Sequence, residues 1–255
     1  MSDVLCTLQD GIATVTLNRP GQRNSVTYAM WREIGDVFEQ LDRDRTVRAI
    51  ILTGAGEDFS AGADIGEFAS ARDGREQSTV YEEAVDYGCA AITDCRKPVI
   101  AVTRGYCLGG GAHLAMSCDF RFAHSKAVFG IPAARLSIVY GVQGTRKLAA
   151  LVGLTEAKRI LYSAERFDAG KALAIGFVDE VAEDPMAAAL AYAGKLLPAA
   201  PLTIAGAKYI LNGTALGTFE ESEANRRIDA ASASNDYREG RAAFAVRRPP
   251  RFTGE

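Results

Sequence analysis

The chain has 255 residues, 48% of them apolar and 24% charged, with a net charge of −3. That suffices for one large core with an appendage, and the mildly acidic balance argues against a general nucleic-acid or membrane-surface role. No apolar run nears the roughly 20 residues that span a bilayer. The start, Met1-Ser2-Asp3-Val4-Leu5, has no basic-then-apolar leader, and the five cysteines form no CxxC pair, so a reduced, cytoplasmic protein is expected.

Val4 to Leu8 and Ile12 to Leu17 flank Asp10-Gly11 and predict a hairpin. Thr27 then opens an amphipathic helix with Met30, Ile34, Val37, Phe38 and Leu41 at helical spacing. Ala49 to Thr53, apolar and β-branched, predicts a buried strand. The following loop, Glu57 to Gly74, holds a first glycine bend, Phe59-Ser60-Ala61-Gly62-Ala63-Asp64-Ile65. Ser78 to Cys95 predicts a helix with a weak stripe of Val80, Ala84, Val85 and Ala91, stopped by Lys97-Pro98. The strand Val99 to Thr103 leads into a second bend, Tyr106-Cys107-Leu108-Gly109-Gly110-Gly111, and a helix from Gly110 to Met116. Asp119 to Ala123 is the next strand, and strands alternating with helices imply an α/β fold of parallel units. Beyond Asp184-Pro185 the pattern is helical: Ala187 to Leu197, Leu202 to Leu211, Phe219 to Ala233 and Tyr237 to Phe244. The chain thus divides into a core, 1–190, and a helical region, 191–255, too poor in core to stand alone and expected to pack on the body or on a neighbouring subunit.

The two bends share one grammar, since each follows a short β-type run and can aim a backbone N–H at a common volume. Gly110 would open a helix, where free N–H groups and the positive end of the helix dipole favour an anion. Two convergent N–H groups make an oxyanion hole, which points to carbonyl or thioester chemistry. Other chemistries lack their parts. Gly54-Ala55-Gly56 has no third glycine of a dinucleotide fingerprint, and Gly141-Val142-Gln143-Gly144-Thr145 lacks the lysine of a phosphate loop. Asp58-Phe59-Ser60-Ala61-Gly62 misses the first glycine of a nucleophile elbow. His113 and His124 are the only histidines and belong to no HExxH, so no metal is expected. An oxyanion hole without a nucleophile suits enolate chemistry.

Four motifs in register resemble the crotonase (enoyl-CoA hydratase/isomerase) superfamily: Leu17-Asn18-Arg19-Pro20 with Arg23-Asn24-Ser25; Ser60 to Ile65; Gly105 to Gly111; and Asp236 to Phe244 with Arg247-Arg248-Pro249-Pro250. The resemblance implies a crotonase-like spiral of ββα units with a C-terminal helical trimerisation region. It implies homotrimers or hexamers (dimers of trimers), and an acyl-CoA substrate with no cofactor beyond its coenzyme A. The oxyanion donors would be the N–H groups of Ala63 and Gly110. Arg23, Ala61, Asp64 and Ile65 would lie along the coenzyme A, with Phe244 and Arg247 reaching the coenzyme A of a neighbouring subunit.

The sequence departs from the family's two-glutamate hydratases. The glutamate expected in the helix after the triple glycine is His113, and the one expected after the proline of Phe129-Gly130-Ile131-Pro132 is Ala133. Hydration needs a base on the water and an acid at the α-carbon, and alanine supplies neither. His113 and Tyr140 are the side chains expected to take over proton work. Tyr140 also sits where the family's methylmalonyl-CoA decarboxylase-like members place a tyrosine, although Ala63 stands in place of their histidine. Isomerisation or decarboxylation is therefore expected, the alternatives being an enoyl-CoA hydratase of atypical mechanism and a non-catalytic acyl-CoA binder.

Overall fold

The computed structural model describes residues 2–67 and 74–255. Strands β1 (Val4–Gln9) and β2 (Ile12–Leu17) form the expected hairpin. Strands β3 (Ala49–Gly54), β4 (Val99–Thr103), β6 (Phe120–His124) and β9 (Glu180–Ala182) add in parallel, giving one six-stranded sheet in the order β1-β2-β3-β4-β6-β9. A second sheet runs beside it: β5 (Tyr106–Leu108), β7 (Val128–Gly130) and β8 (Phe167–Asp168). Single bridges Val26↔Ala63 and Ser60↔Cys107 prolong this inner layer toward the N-terminus.

The chain therefore climbs as a spiral. Each turn lays a strand in the large sheet, steps into the inner layer, then returns through a helix. The four helices of these turns are α1 (Tyr28–Arg43), α2 (Arg75–Asp94), α3 (Gly110–Ser117) and α4 (Val142–Ser163). The shared grammar of the two bends is this repeat, seen twice. Thr27 caps α1 by accepting from the Met30 N–H at 3.2 Å.

Strand alternation splits the core in two. Ile50, Leu52, Val99 and Ala101 face the main core with Trp31, Phe38 and Ile92 from the helices. Ala49, Ile51, Ile100, Val102 and Phe122 face the other way, onto Ala189 and Ala193 of α6 (Pro185–Leu196). The short helix α5 (Ala169–Ala174) joins β8 to β9. The boundary expected at 190/191 falls within α6. Helices α7 (Pro201–Leu216), α8 (Glu221–Ala233) and α9 (Asn235–Ala245) follow, and they leave Leu211, Tyr237, Phe244 and Val246 exposed, as a helical region suited to trimerisation would.

Two expectations shift. The helix α2 turns Tyr81, not Val80, into the core: Tyr81 is 1% exposed and Val80 46%. Helix α4, absent from the sequence reading, contains a break at Gly153, whose φ of 74° and ψ of 165° interrupt the helical stripe. Part of the loop expected from Glu57 to Gly74, residues 68–73, lies outside the described residues.

Candidate active site

The first bend is an edge of the inner layer. Ser60 N–H donates to the Tyr106 carbonyl at 2.8 Å, and Leu108 N–H returns to the Ser60 carbonyl at 3.0 Å. Val26 N–H donates to Gly62 O (2.8 Å) and Asp64 N–H to Val26 O (2.9 Å). In a parallel bridge these two bonds flank Ala63, whose own N–H then points the other way. Gly62 has φ of +103°, and a β-carbon there would lie 2.8 Å from the Leu108 carbonyl oxygen, so the approach of the bends requires glycine.

The second bend ends in α3. Gly109 N–H is bonded to the Gly130 carbonyl at 2.8 Å, and Gly110 is the first helical residue, whose N–H has no intrahelical partner. A β-carbon at Gly110 would sit 3.2 Å from the Ala63 nitrogen and 2.9 Å from Trp31 Cζ2. Among the described residues neither the Ala63 nor the Gly110 N–H donates to a carbonyl of its own chain. The two expected oxyanion donors are thus adjacent, unused and open to one cleft, which both line together with His113, Tyr140 and Ala133.

His113 sits one turn along α3, 3% exposed, and its Nε2 has no hydrogen-bond partner. Burial, then the nearby Lys147 ammonium, pushes its pKa down to about 3, so the imidazole is neutral at physiological pH and a weak base. Lys147 is itself buried and donates to Ser117 Oγ at 2.8 Å, while that hydroxyl donates to the His113 carbonyl at 2.8 Å. The half-buried Tyr140 donates its O–H to the Gly109 carbonyl at 3.0 Å, and its ring lies 5.8 Å from that of His113. Burial raises its pKa well above the usual phenol value, so it stays a donor. Ala133 presents only a methyl.

The remaining expected residues spread outward. Ala61 N–H donates to the Arg23 carbonyl at 2.9 Å, and Ile65, 63% exposed, stands at the cleft mouth. The carboxylate of Asp64 accepts from Arg19 (2.7 Å), Ser25 (3.2 Å) and the Gly66 N–H (3.0 Å), pinning the bend to the Arg19–Ser25 turn; the Arg19 bond holds its pKa below the usual range. The Arg23 guanidinium lies 4.9 Å from the Tyr106 ring centre, and Arg166, unforeseen in the sequence, lies 5.0 Å from the same ring. Phe244 is 87% exposed, and neither it nor Arg247 lines the cleft of its own chain.

Sequence reading also missed Trp31 and Glu82. Trp31 underlies Gly110, its indole N–H bonded to Tyr81 Oη at 3.1 Å. Glu82 brings a carboxylate into the cleft from α2. The signal for it was the spacing Tyr81, Ala84, Val85, Cys89, Ile92, all buried, which turns the helix so that Glu82 borders the cleft. Among the described residues no group of three or more His, Cys, Asp or Glu could hold a metal ion, and no single helix is long and apolar enough to cross a membrane.

The sequence profile described as enoyl-CoA hydratase/isomerase matches residues 7–255. A short-chain-enoyl-CoA hydratase from Clostridium acetobutylicum is 37% identical over 221 residues, covering 83% of this chain and 82% of its own. A 2,3-dehydroadipyl-CoA hydratase from Escherichia coli is 30% identical, with all of both chains covered. The crystal structure of an enoyl-CoA hydratase/carnithine racemase from Magnetospirillum magneticum superposes with a TM-score of 0.93 at 33% identity, over 100% of this chain and 97% of the other. With the spiral of ββα turns, the paired amides and a profile match over nearly its whole length, the chain belongs to the enoyl-CoA hydratase/isomerase (crotonase) superfamily.

Proposed function

We propose that the protein binds an acyl-CoA, polarises its thioester carbonyl between the N–H groups of Ala63 and Gly110, and works through the resulting enolate by isomerisation or decarboxylation. The observation that carries this reading is the pair of unpartnered amides facing one cleft, with a β-carbon at Gly110 falling 3.2 Å from the Ala63 nitrogen. Donors fixed in advance stabilise the oxyanion more than the ground-state carbonyl, and so lower the barrier to breaking a bond at the α-carbon. The guanidinium groups of Arg23 and Arg166 on Tyr106 are suited to the phosphates of coenzyme A.

Both positions that bear glutamates in two-glutamate hydratases line the cleft here, as neutral His113 and Ala133. That speaks against hydration by an acid–base glutamate pair, although relatives carry hydratase names. Tyr140 and His113 act in this reading as polar wall groups that orient substrate and intermediate. Phe244 and Arg247, exposed on and just after α9, are assigned to the coenzyme A of a neighbouring subunit in a trimer or hexamer.

The test is hydrogen exchange at C2 of a saturated acyl-CoA in D₂O, followed by NMR, alongside turnover of 3-enoyl, 2-enoyl and malonyl-type thioesters. Enolate formation gives C2 exchange and turnover of at least one 3-enoyl or malonyl-type substrate. Binding with neither exchange nor turnover makes the protein an acyl-CoA binder, and rapid hydration of a 2-enoyl thioester restores the hydratase reading.

A further inference from the structure

We propose that Tyr140 is a positioning residue for the oxyanion grip: its hydroxyl binds the carbonyl of the Gly109–Gly110 peptide and so polarises the Gly110 N–H on the opposite side of that group. This rests on the two-amide reading above and puts Tyr140 behind the donor instead of in proton transfer.

Gly109 contributes the carbonyl and Gly110 the N–H of one peptide unit. Such a unit is planar and trans, so its oxygen and its N–H point in opposite directions, and resonance couples them. The Gly109 oxygen accepts two hydrogen bonds. One is the helical bond from the His113 N–H at 3.0 Å, and the other comes from the Tyr140 hydroxyl, also at 3.0 Å. Both lone pairs of that carbonyl are thereby engaged. Donors on a peptide oxygen draw electron density from its nitrogen and leave the N–H a stronger donor. The companion unit is less well supplied. The Ala63 N–H belongs to the Gly62–Ala63 peptide, whose oxygen accepts, among the described residues, the Val26 N–H alone, at 2.8 Å. The extra donor at Gly109 is a side chain, and it falls on one of the two amides that face the cleft.

The ring is seated for that bond. Gly141 follows it as the N-cap of α4, and Thr145 ties the turn from both of its groups. Its N–H donates to the Gly141 carbonyl at 2.9 Å, and its hydroxyl to the Tyr140 carbonyl at 3.1 Å. A β-carbon at Gly144 would lie 2.6 Å from Tyr140 Cε1 and 3.3 Å from His113 Cε1, so the glycine leaves the ring its room. Burial raises the Tyr140 pKa well above the usual phenol value, and Cys89, Cys107 and Glu82 act in the same direction. The proton therefore stays on Oη, where it is committed to Gly109. A tyrosine that delivered this proton to the substrate would first have to break that bond.

The experiment uses the full chain and hexanoyl-CoA carrying ¹³C at its thioester carbonyl. Isotope-edited infrared spectroscopy reads the stretch of the bound carbonyl, and NMR in D₂O reads C2 exchange. In the wild type the bound stretch is expected at lower frequency than in water. Tyr140→Phe is expected to lose part of that downshift and to slow exchange by about threefold to tenfold, the range of one neutral hydrogen bond, with hexanoyl-CoA affinity kept within about threefold. Tyr140→3-fluorotyrosine, a more acidic phenol and a stronger donor, is expected to deepen the downshift. A stretch in Tyr140→Phe equal to that of the wild type overturns the role, as does one unmoved by the fluorinated ring. A fall in exchange of more than about 100-fold in Tyr140→Phe also overturns it, because that is the size of a lost general acid or base. Absence of any downshift in the wild type sinks the two-amide reading itself, and the role of Tyr140 with it.

Discussion

The two bends that meet at the cleft are built by different means. The first, Ser60 to Ile65, is held largely by side chains. Buried Asn24 donates to the Ala55 and Asp58 carbonyls at 2.9 and 2.7 Å and accepts the Arg19 N–H at 2.9 Å. Ser60 Oγ donates to Asn24 O at 2.7 Å and accepts the Gly62 N–H at 3.1 Å, and Asp64 is tied to Arg19. The second bend has no side-chain cap at its helix start. It is held mainly by main-chain bonds to Gly130 and Ser60 and by contact with the Trp31 ring, with two side-chain bonds beside them: Tyr140 donates to the Gly109 carbonyl at 3.0 Å and the Asp58 carboxylate accepts from the Tyr106 N–H at 2.7 Å. Two amides can thus be aimed at one point by a polar network on one side and by backbone pairing with close packing on the other. The first arrangement is vulnerable to loss of a hydrogen bond, the second to added volume.

Substitutions that exploit this difference rank by size. Gly110→Ala places a methyl 3.2 Å from the Ala63 nitrogen, where the proposed reading puts the substrate oxygen, and against Trp31. It is expected to lower kcat by about 100- to 1000-fold, comparable to deleting an oxyanion donor, with far-ultraviolet circular dichroism unchanged. Undiminished turnover would mean that oxygen sits elsewhere. Asn24→Ala attacks the other bend. It removes a side chain that is 0% exposed and strands two part-buried carbonyls and an N–H, and is expected to destabilise the fold by about 3 kcal/mol in urea unfolding. A much smaller loss would show that the side-chain network is decorative.

The smallest effect separates the floor of the second bend from its amide. His113 falls from an ordinary 6.5 to about 3 on folding, so the unfolded chain binds the extra proton between those values. The stability contributed by its neutral form is therefore whole above pH 6.5 and is lost as pH falls toward 3, amounting to about 2 kcal/mol by pH 5. In His113→Leu this part of the acid limb of stability against pH should flatten. An unchanged limb would place the acid sensitivity elsewhere.

Five of the six large-sheet strands and both bends were legible in the sequence because apolar β-type runs followed by a glycine bend repeat in successive turns, whereas β9, three residues long, was not. The inner layer was not, since β5, β7 and β8 are two or three residues long and too short to alternate. Helix α4 was hidden by the break at Gly153. Of the site, Ala63, Gly110, His113 and Tyr140 were expected from the two bends together with the family resemblance, and the structure brings all four to one cleft. Glu82 was missed for a geometric reason: a stripe anchored on Val80 instead of Tyr81 rotates α2 by about 100°, one residue of helix. The depth of His113, which decides its basicity, belongs to packing from Lys147 and Tyr140, far along the chain.

In the proposed site the oxygen is held only by peptide groups at Ala63 and Gly110, which would make the electrostatic device largely indifferent to the side-chain alphabet. Histidine at 113 and alanine at 133, where two-glutamate hydratases carry glutamates, would then alter the proton chemistry while leaving the proposed grip on the carbonyl intact. A lineage built this way is free to trade one reaction for another in single steps, each intermediate still able to grasp the same handle.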